Sequence, residues 1–205
     1  MTKAVQIHET GGPEVMKWEE IDVGRPREGE VLLRHTAVGL NYIDVYHRTG
    51  LYPVGDLPTV IGMEGAGVVE EIGEGVSGVA PGDRVAYAGV PMGSYAEVRI
   101  MPEHRLVKIP DGIDDVAAGA MMLKGMTARY LLRRTCPVQA GETILFHAAA
   151  GGVGLIACQW ARHLGVTVIG TVGSEEKAEL ARQHGCHHTI LYREENFVSR
   201  VREIT

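Results

Sequence analysis

The stretch His147–Arg162, "HAAAGGVGLIACQWAR", decides the fold. Before it, "ETILFHA" (Glu142–Ala148) carries β-branched and aromatic residues at its centre and reads as a strand. After it, Val153, Ile156, Ala157, Trp160, Ala161 and Leu164 recur at helical spacing, which predicts a helix over Gly152–Leu164 with Gly165 as its C-cap. The alanines and glycines therefore occupy a strand-to-helix turn. Glycine there lets the backbone approach a ligand closely, and the unpaired N–H groups of the first helical turn favour an anion such as phosphate. Glycine-rich turns also occur with no ligand, and this one reads AxGGxG, with Ala149 where a GxGxxG run would have its first glycine. Its meaning depends on a βαβ context.

That context lies downstream. Strand Val166–Val172, helix Ser174–His184, strand His188–Tyr192 and helix Glu195–Ile204 follow in alternation, which predicts right-handed βαβ units and a parallel sheet. The turn then sits at the first βα corner of a Rossmann-like domain. Upstream the pattern differs: "KAVQIH", "MKWEEI", "EVLLRHTAVG", "GAGVVEEIG", "DRVAYAG" and "GSYAEVRI" are short β-like stretches cut by Gly and Pro, pointing to a mainly antiparallel unit or partly closed barrel. Helix-like "DDVAAGAMML" and "GMTARYLLRRT" connect the two regions. A doubly wound dinucleotide fold needs two mononucleotide halves, and only the first precedes Thr205. The expectation is an incomplete chain whose sites are finished by residues beyond it.

In such a βαβ unit an acid about 20 positions past the glycine turn binds the ribose 2′-OH of NAD. Here "GTVGSEEK" places Gly173 and Ser174 there instead. Loss of the carboxylate removes repulsion against a 2′-phosphate, Ser174 can cap the next helix, and Lys177 offers a cation, so the residues favour NADPH over NADH. Alternatively, Lys177 balances Glu175 and Glu176 on a solvated face.

Composition narrows the partners. With 205 residues, 45% of them hydrophobic, the chain can bury a sizeable core, and its net charge of −6 argues against nucleic acid or an anionic membrane as the main partner. The sequence shows neither a basic-then-apolar N-terminus nor an apolar run of membrane-spanning length, so a cytoplasmic protein is expected. Cys136, Cys158 and Cys186 form no disulfide framework or CxxC pattern and are expected to serve packing. His187 and His188 precede a strand, where neighbours face opposite ways and no further ligands cluster.

Taken together, "GETILFHAAAGGVGLIACQWAR" (Gly141–Arg162), "GLNYIDVYHRTGLYP", "PTVIGMEGAGVVEEIG", "GDRVAY", "GSYAEV" and "LKGMTARYLL" resemble the quinone oxidoreductase branch of the medium-chain dehydrogenase/reductase superfamily along the whole chain. The resemblance implies an α/β protein with a GroES-like, mainly antiparallel β domain (1–123) carrying the catalytic and substrate site. The first half of a Rossmann NADPH-binding domain (124–205) would follow. It implies cofactor contacts from Ala150, Gly151, Gly152, Val153, Gly154, Gly173, Ser174, Lys177 and Tyr192. Asn41, Asp44, Tyr46 and Tyr52 would line the nicotinamide and quinone site, with Thr127 on the nicotinamide side. Zinc-dependent relatives carry a ligand Cys and His where this chain has Asn41 and Met63, and the cysteine-rich structural lobe is missing, so no metal is expected. Glu64 is then scaffold rather than acid. The implied activity is NADPH-dependent quinone reduction by a homodimer. Reduction of an activated C=C bond, or a structural or single-stranded RNA-binding role, are the alternatives; the acidic balance counts against the last.

Overall fold

A computed structural model describes residues 1–205, which form two compact units, Met1–Leu123 and Lys124–Thr205. The first is mainly antiparallel. Its elements are β1 (Thr2–Ile7), β2 (Met16–Ile21), β3 (Glu30–Val38), α1 (Tyr42–Arg48), β4 (Thr59–Val60), β5 (Glu64–Ile72), β6 (Arg84–Ala88), β7 (Val98–Pro102) and β8 (Val107–Lys108). One sheet runs β7-β3-β5-β6-β8 and a smaller one β2-β1-β4. In the larger sheet Val31 and Leu33 of β3 alternate inward and meet Val69, Val85, Tyr87 and Met101 in a fully buried cluster. This is the period-two pattern of strands with one face on a core.

The sequence of "GLNYIDVYHRTGLYP" gave no periodic signal for α1, yet a helix forms there because its ends are capped. Asn41 and Asp44 make a reciprocal capping box, with the Asp44 carboxylate accepting from the Asn41 amide at 2.9 Å. A second departure is α2 (Asp115–Tyr130), which is one continuous helix followed by a π-helical turn at Leu131–Thr135, rather than two helices broken near Lys124. A mid-helix glycine such as Gly125 costs only about 1 kcal/mol against alanine and does not stop a helix.

The second unit contains β9 (Thr143–Phe146), α3 (Gly152–His163), β10 (Thr167–Val172), α4 (Glu175–Gln183), β11 (His188–Leu191) and α5 (Phe197–Ile204). Its strands lie in the order β11-β10-β9, all parallel, as expected of a mononucleotide half. Small residues make the packing close: Ala157, Cys158 and Ala161 of α3 and Ala178 and Ala181 of α4 are buried in one cluster with Val168 and Val172 of β10. α3 ends where Gly165 takes φ 75°, a left-handed conformation suited to glycine after a C-cap. β9 stops two residues earlier than expected because Ala148 adopts φ 53° and turns the chain toward α3. Cys158 and Cys186 are buried, as a packing role requires, whereas Cys136 is exposed.

Candidate functional site

Each unit contributes its own cluster. In the second, the turn from β9 to α3 is closed by the Gly151 amide donating to the Ala148 carbonyl at 2.8 Å. Gly151 is the N-cap of α3 and has no side chain to satisfy the first-turn amides. The N–H groups of Gly152, Val153 and Gly154 are the first of α3 and have no acceptor within the helix, the usual condition for an anion site. The glycines differ in what they allow. A Cβ on Gly154 would overlap the Ala148 carbonyl and lie 2.5 Å from the Ala149 carbonyl, so this residue permits the helix to pack on the turn. A Cβ on Gly151 would lie 3.1 Å from the Ala148 carbonyl, a tight but lesser conflict. At Gly152 it would meet the Lys124 stem, with Cδ 2.8 Å away, so a lysine that sequence reading missed lies over the head of α3.

A cavity of about 130 Å³ adjoins this turn, lined by Ala148, Ala150, Gly151, Val172, Gly173, Lys177 and Tyr192. Five expected cofactor residues thus share one space. Ser174 caps α4, its hydroxyl accepting from the Lys177 amide at 3.4 Å. Two of the three acids of α4 are tied to another partner: Arg182 pairs with Glu175 at 2.6 Å and with Glu179 at 3.0 Å, while Glu176 lies beside Lys177. Lys177 joins no ion pair, which removes Glu175 as the reason for its charge. The stretch is suited to an anion at the α3 amides and a second one beside Lys177.

In the first unit the expected residues gather on α1. Asn41 donates its side-chain amide to Glu64 at 2.7 Å, and the other Glu64 oxygen accepts from the Leu123 amide at 2.8 Å. Glu64 is fully buried, so both its oxygens are committed to holding β5 to α1 and α2. Asp44, also buried, accepts from the Tyr95 hydroxyl at 2.7 Å. Burial and then the Asp44 carboxylate push the Tyr95 phenol well above its ordinary range. The Tyr46 and Tyr52 rings lie 5.2 Å apart between centroids with their planes tilted by 58°, and Tyr42 meets Tyr46 edge-on at 5.3 Å. Burial lowers the pKa of His47, which sits beside Tyr52, while Asp44 opposes that shift. Thr127 stands part-buried on α2 and is not among the residues lining the 130 Å³ cavity. Tyr95 and His47 were missed in the sequence because their contacts are set by folding rather than by any local motif.

The alcohol dehydrogenase GroES-like domain family matches residues 27–111, and the zinc-binding dehydrogenase family matches 152–205. The whole chain is 55% identical to a quinone oxidoreductase of Pseudomonas aeruginosa and 52% identical to a 2-haloacrylate reductase of a Burkholderia species, covering 63% of each. The crystal structure of an Escherichia coli quinone oxidoreductase complexed with NADPH matches 98% of the chain with a TM-score of 0.97 at 45% identity, and 62% of that protein is covered. By these matches the chain is similar, along its whole length, to members of the quinone oxidoreductase family. It spans less than two thirds of the length of these family members. The zinc named in one family description finds no fitting donors here: no group of three or more His, Cys, Asp or Glu is placed to share a metal. At the two positions compared above, Asn41 gives its amide to Glu64 and Met63 offers a thioether. No helix is long and apolar enough to cross a membrane.

Proposed function

We propose that this chain carries the substrate-side and cofactor-side residues of an NADPH-dependent, zinc-independent quinone reductase. The observation that carries the reading is Lys177, without an ion pair and on the wall of a cavity that Gly173 also lines, where an NAD site would place an acid. When bound, NADPH supplies a hydride from its nicotinamide ring. The open amides of Gly152, Val153 and Gly154 hold the pyrophosphate, with Ala150 and Gly151 beside it. Ser174, Lys177 and Tyr192 surround the 2′-phosphate. In the first unit, the Tyr46 and Tyr52 rings offer flat faces to a flat acceptor, and the Tyr52 hydroxyl donates a hydrogen bond to its oxygen. Asn41 and Asp44 fix α1, on which Tyr46 stands, and Thr127 takes the nicotinamide side. A quinone is already electrophilic, so these residues need only position it and exclude water.

A second reading has its own support. The Burkholderia relative is a 2-haloacrylate reductase, so reduction of an activated C=C bond draws on the same hydride and the same residues. A panel of quinones and enones under NADPH separates them, run on this chain extended by the C-terminal third of a curated relative. We expect turnover of quinones; turnover of enones alone would replace the reading. The same proposal gives a cytoplasmic homodimer acting on a small molecule, with no nucleic acid or membrane partner. A gel shift with single-stranded RNA at moderate salt is expected to show no complex.

A further inference from the structure

Gly173 ends the segment after β10, and a Cβ there would lie 2.9 Å from the Tyr192 hydroxyl and 3.5 Å from Arg193 Nε. The space above Gly173 is therefore bounded by a phenol and a guanidinium arriving from the far end of β11. Arg193 is exposed and makes no ion pair or hydrogen bond. Its neighbour Glu195 is committed elsewhere, accepting from the Leu191 amide at 2.9 Å and pairing with Arg200 at 2.9 Å. Lys177 reaches the same cavity from α4 and is likewise without an ion pair. Two cations on different elements thus converge where Gly173 leaves room, and Glu175, Glu179 and Glu195 face arginine partners instead. Uncompensated cations of like sign repel one another, so this arrangement is relieved by a doubly charged anion.

We propose that Arg193 is a second cation for the cofactor's 2′-phosphate, acting with Lys177 across the opening that Gly173 provides. Its planar fork of donors can meet two phosphate oxygens at once, whereas Lys177 acts as a point charge. The proposal rests on the NADPH reading above, and the experiment keeps their failures apart.

Adenosine 2′,5′-bisphosphate and adenosine 5′-monophosphate differ only in the 2′-phosphate, and neither carries a hydride, so calorimetric titration reads binding alone. With the unsubstituted chain the bisphosphate is expected to bind more tightly. Arg193→Ala should weaken the bisphosphate about tenfold and the monophosphate less than about twofold, the scale of one charge-assisted contact. Arg193→Lys should recover only part of that loss. Melting temperature is expected to be unchanged, since the side chain is exposed. If Lys177→Ala loses the preference for the bisphosphate and Arg193→Ala keeps it, the proposal is overturned and the NADPH reading stands. If the unsubstituted chain shows no preference for the bisphosphate, both are overturned.

Discussion

The polar centre around Glu64 and the glycine turn at the head of α3 are built in opposite ways. At Glu64, side chains meet side chains: both carboxylate oxygens are occupied, by Asn41 and by the Leu123 amide, deep in the first unit. At the turn, side chains are removed so that backbone amides stay open and a helix can close on a strand end. Rigidity comes from satisfied hydrogen bonds in the first case and from close backbone packing in the second. The first tolerates no loss of an acceptor, and the second tolerates no gain of a methyl group.

Glu64→Ala should test the first half of that contrast with the largest effect. It strands two buried donors, each costing about 1–3 kcal/mol without a partner, so a loss of about 3–5 kcal/mol is expected in denaturant unfolding. Glu64→Gln, which keeps one acceptor oxygen, should lose markedly less. Equal losses would show that volume rather than hydrogen bonding holds this centre. Gly154→Ala tests the second half. Its Cβ would press on two carbonyl oxygens of the turn, and overpacking of this kind costs about 1–3 kcal/mol. Gly151→Val should separate fold from ligand, leaving a folded protein whose NADPH affinity falls at least about tenfold, because the new side chain intrudes on the open amides. Unchanged affinity would reduce the turn to a packing device.

Acid should distinguish the two regions as well. His35 on β3 donates from Nδ1 to the Ala96 carbonyl at 2.6 Å and accepts at Nε2 from the Tyr87 hydroxyl at 2.7 Å, a neutral ring in a part-buried network. Burial, with a smaller contribution from the Arg99 charge, lowers its pKa from 6.5 to about 4. A base with a depressed folded pKa stabilises fully above the unfolded value, and that stability is lost as pH falls from 6.5 through about 4. The loss amounts to at most about 3 kcal/mol over this range. Trp18 lies in the first unit and Trp160 in the second, so single-tryptophan variants report each separately. The Trp18 signal is expected to show the acid loss, and His35→Gln to flatten it.

The two regions were also unequally legible. The turn could be read from His147–Arg162 because its meaning lies in which side chains are missing, over a few consecutive positions, and the βαβ alternation gave the context. The absent acid at Gly173–Ser174, on which the proposed NADPH preference rests, was visible in the same way. The polar centre was not legible in the same way. Asn41 meets Glu64 across 23 positions, Asp44 meets Tyr95 across 51, and Glu64 meets Leu123 across 59. Only the antiparallel sheet brings these together, and no periodicity encodes such pairings. The resemblance supplied Asn41 and Asp44 but not Tyr95. Helix α1 escaped for a related reason: seven residues are too few for a periodic face, and its stability rests on the Asn41–Asp44 caps.

The smallest effect expected is at Ala148, and it bears on whether the turn stores strain for function. Ala148 is the one non-glycine residue at positive φ, 53°, and lines the cavity beside Lys177. The left-handed conformation costs an alanine about 1–2 kcal/mol, a penalty glycine escapes. Glycine in turn loses more conformational freedom on folding, by about 0.4–1 kcal/mol. The two contributions oppose, so Ala148→Gly should stabilise the second unit by about 0.5–1 kcal/mol, read from denaturant unfolding followed at Trp160. If the alanine only packs, NADPH affinity will not change. A stabilised variant that binds more weakly would mean that the methyl group helps to shape the ligand space, and the turn would then depend on one retained side chain as well as on those it lacks.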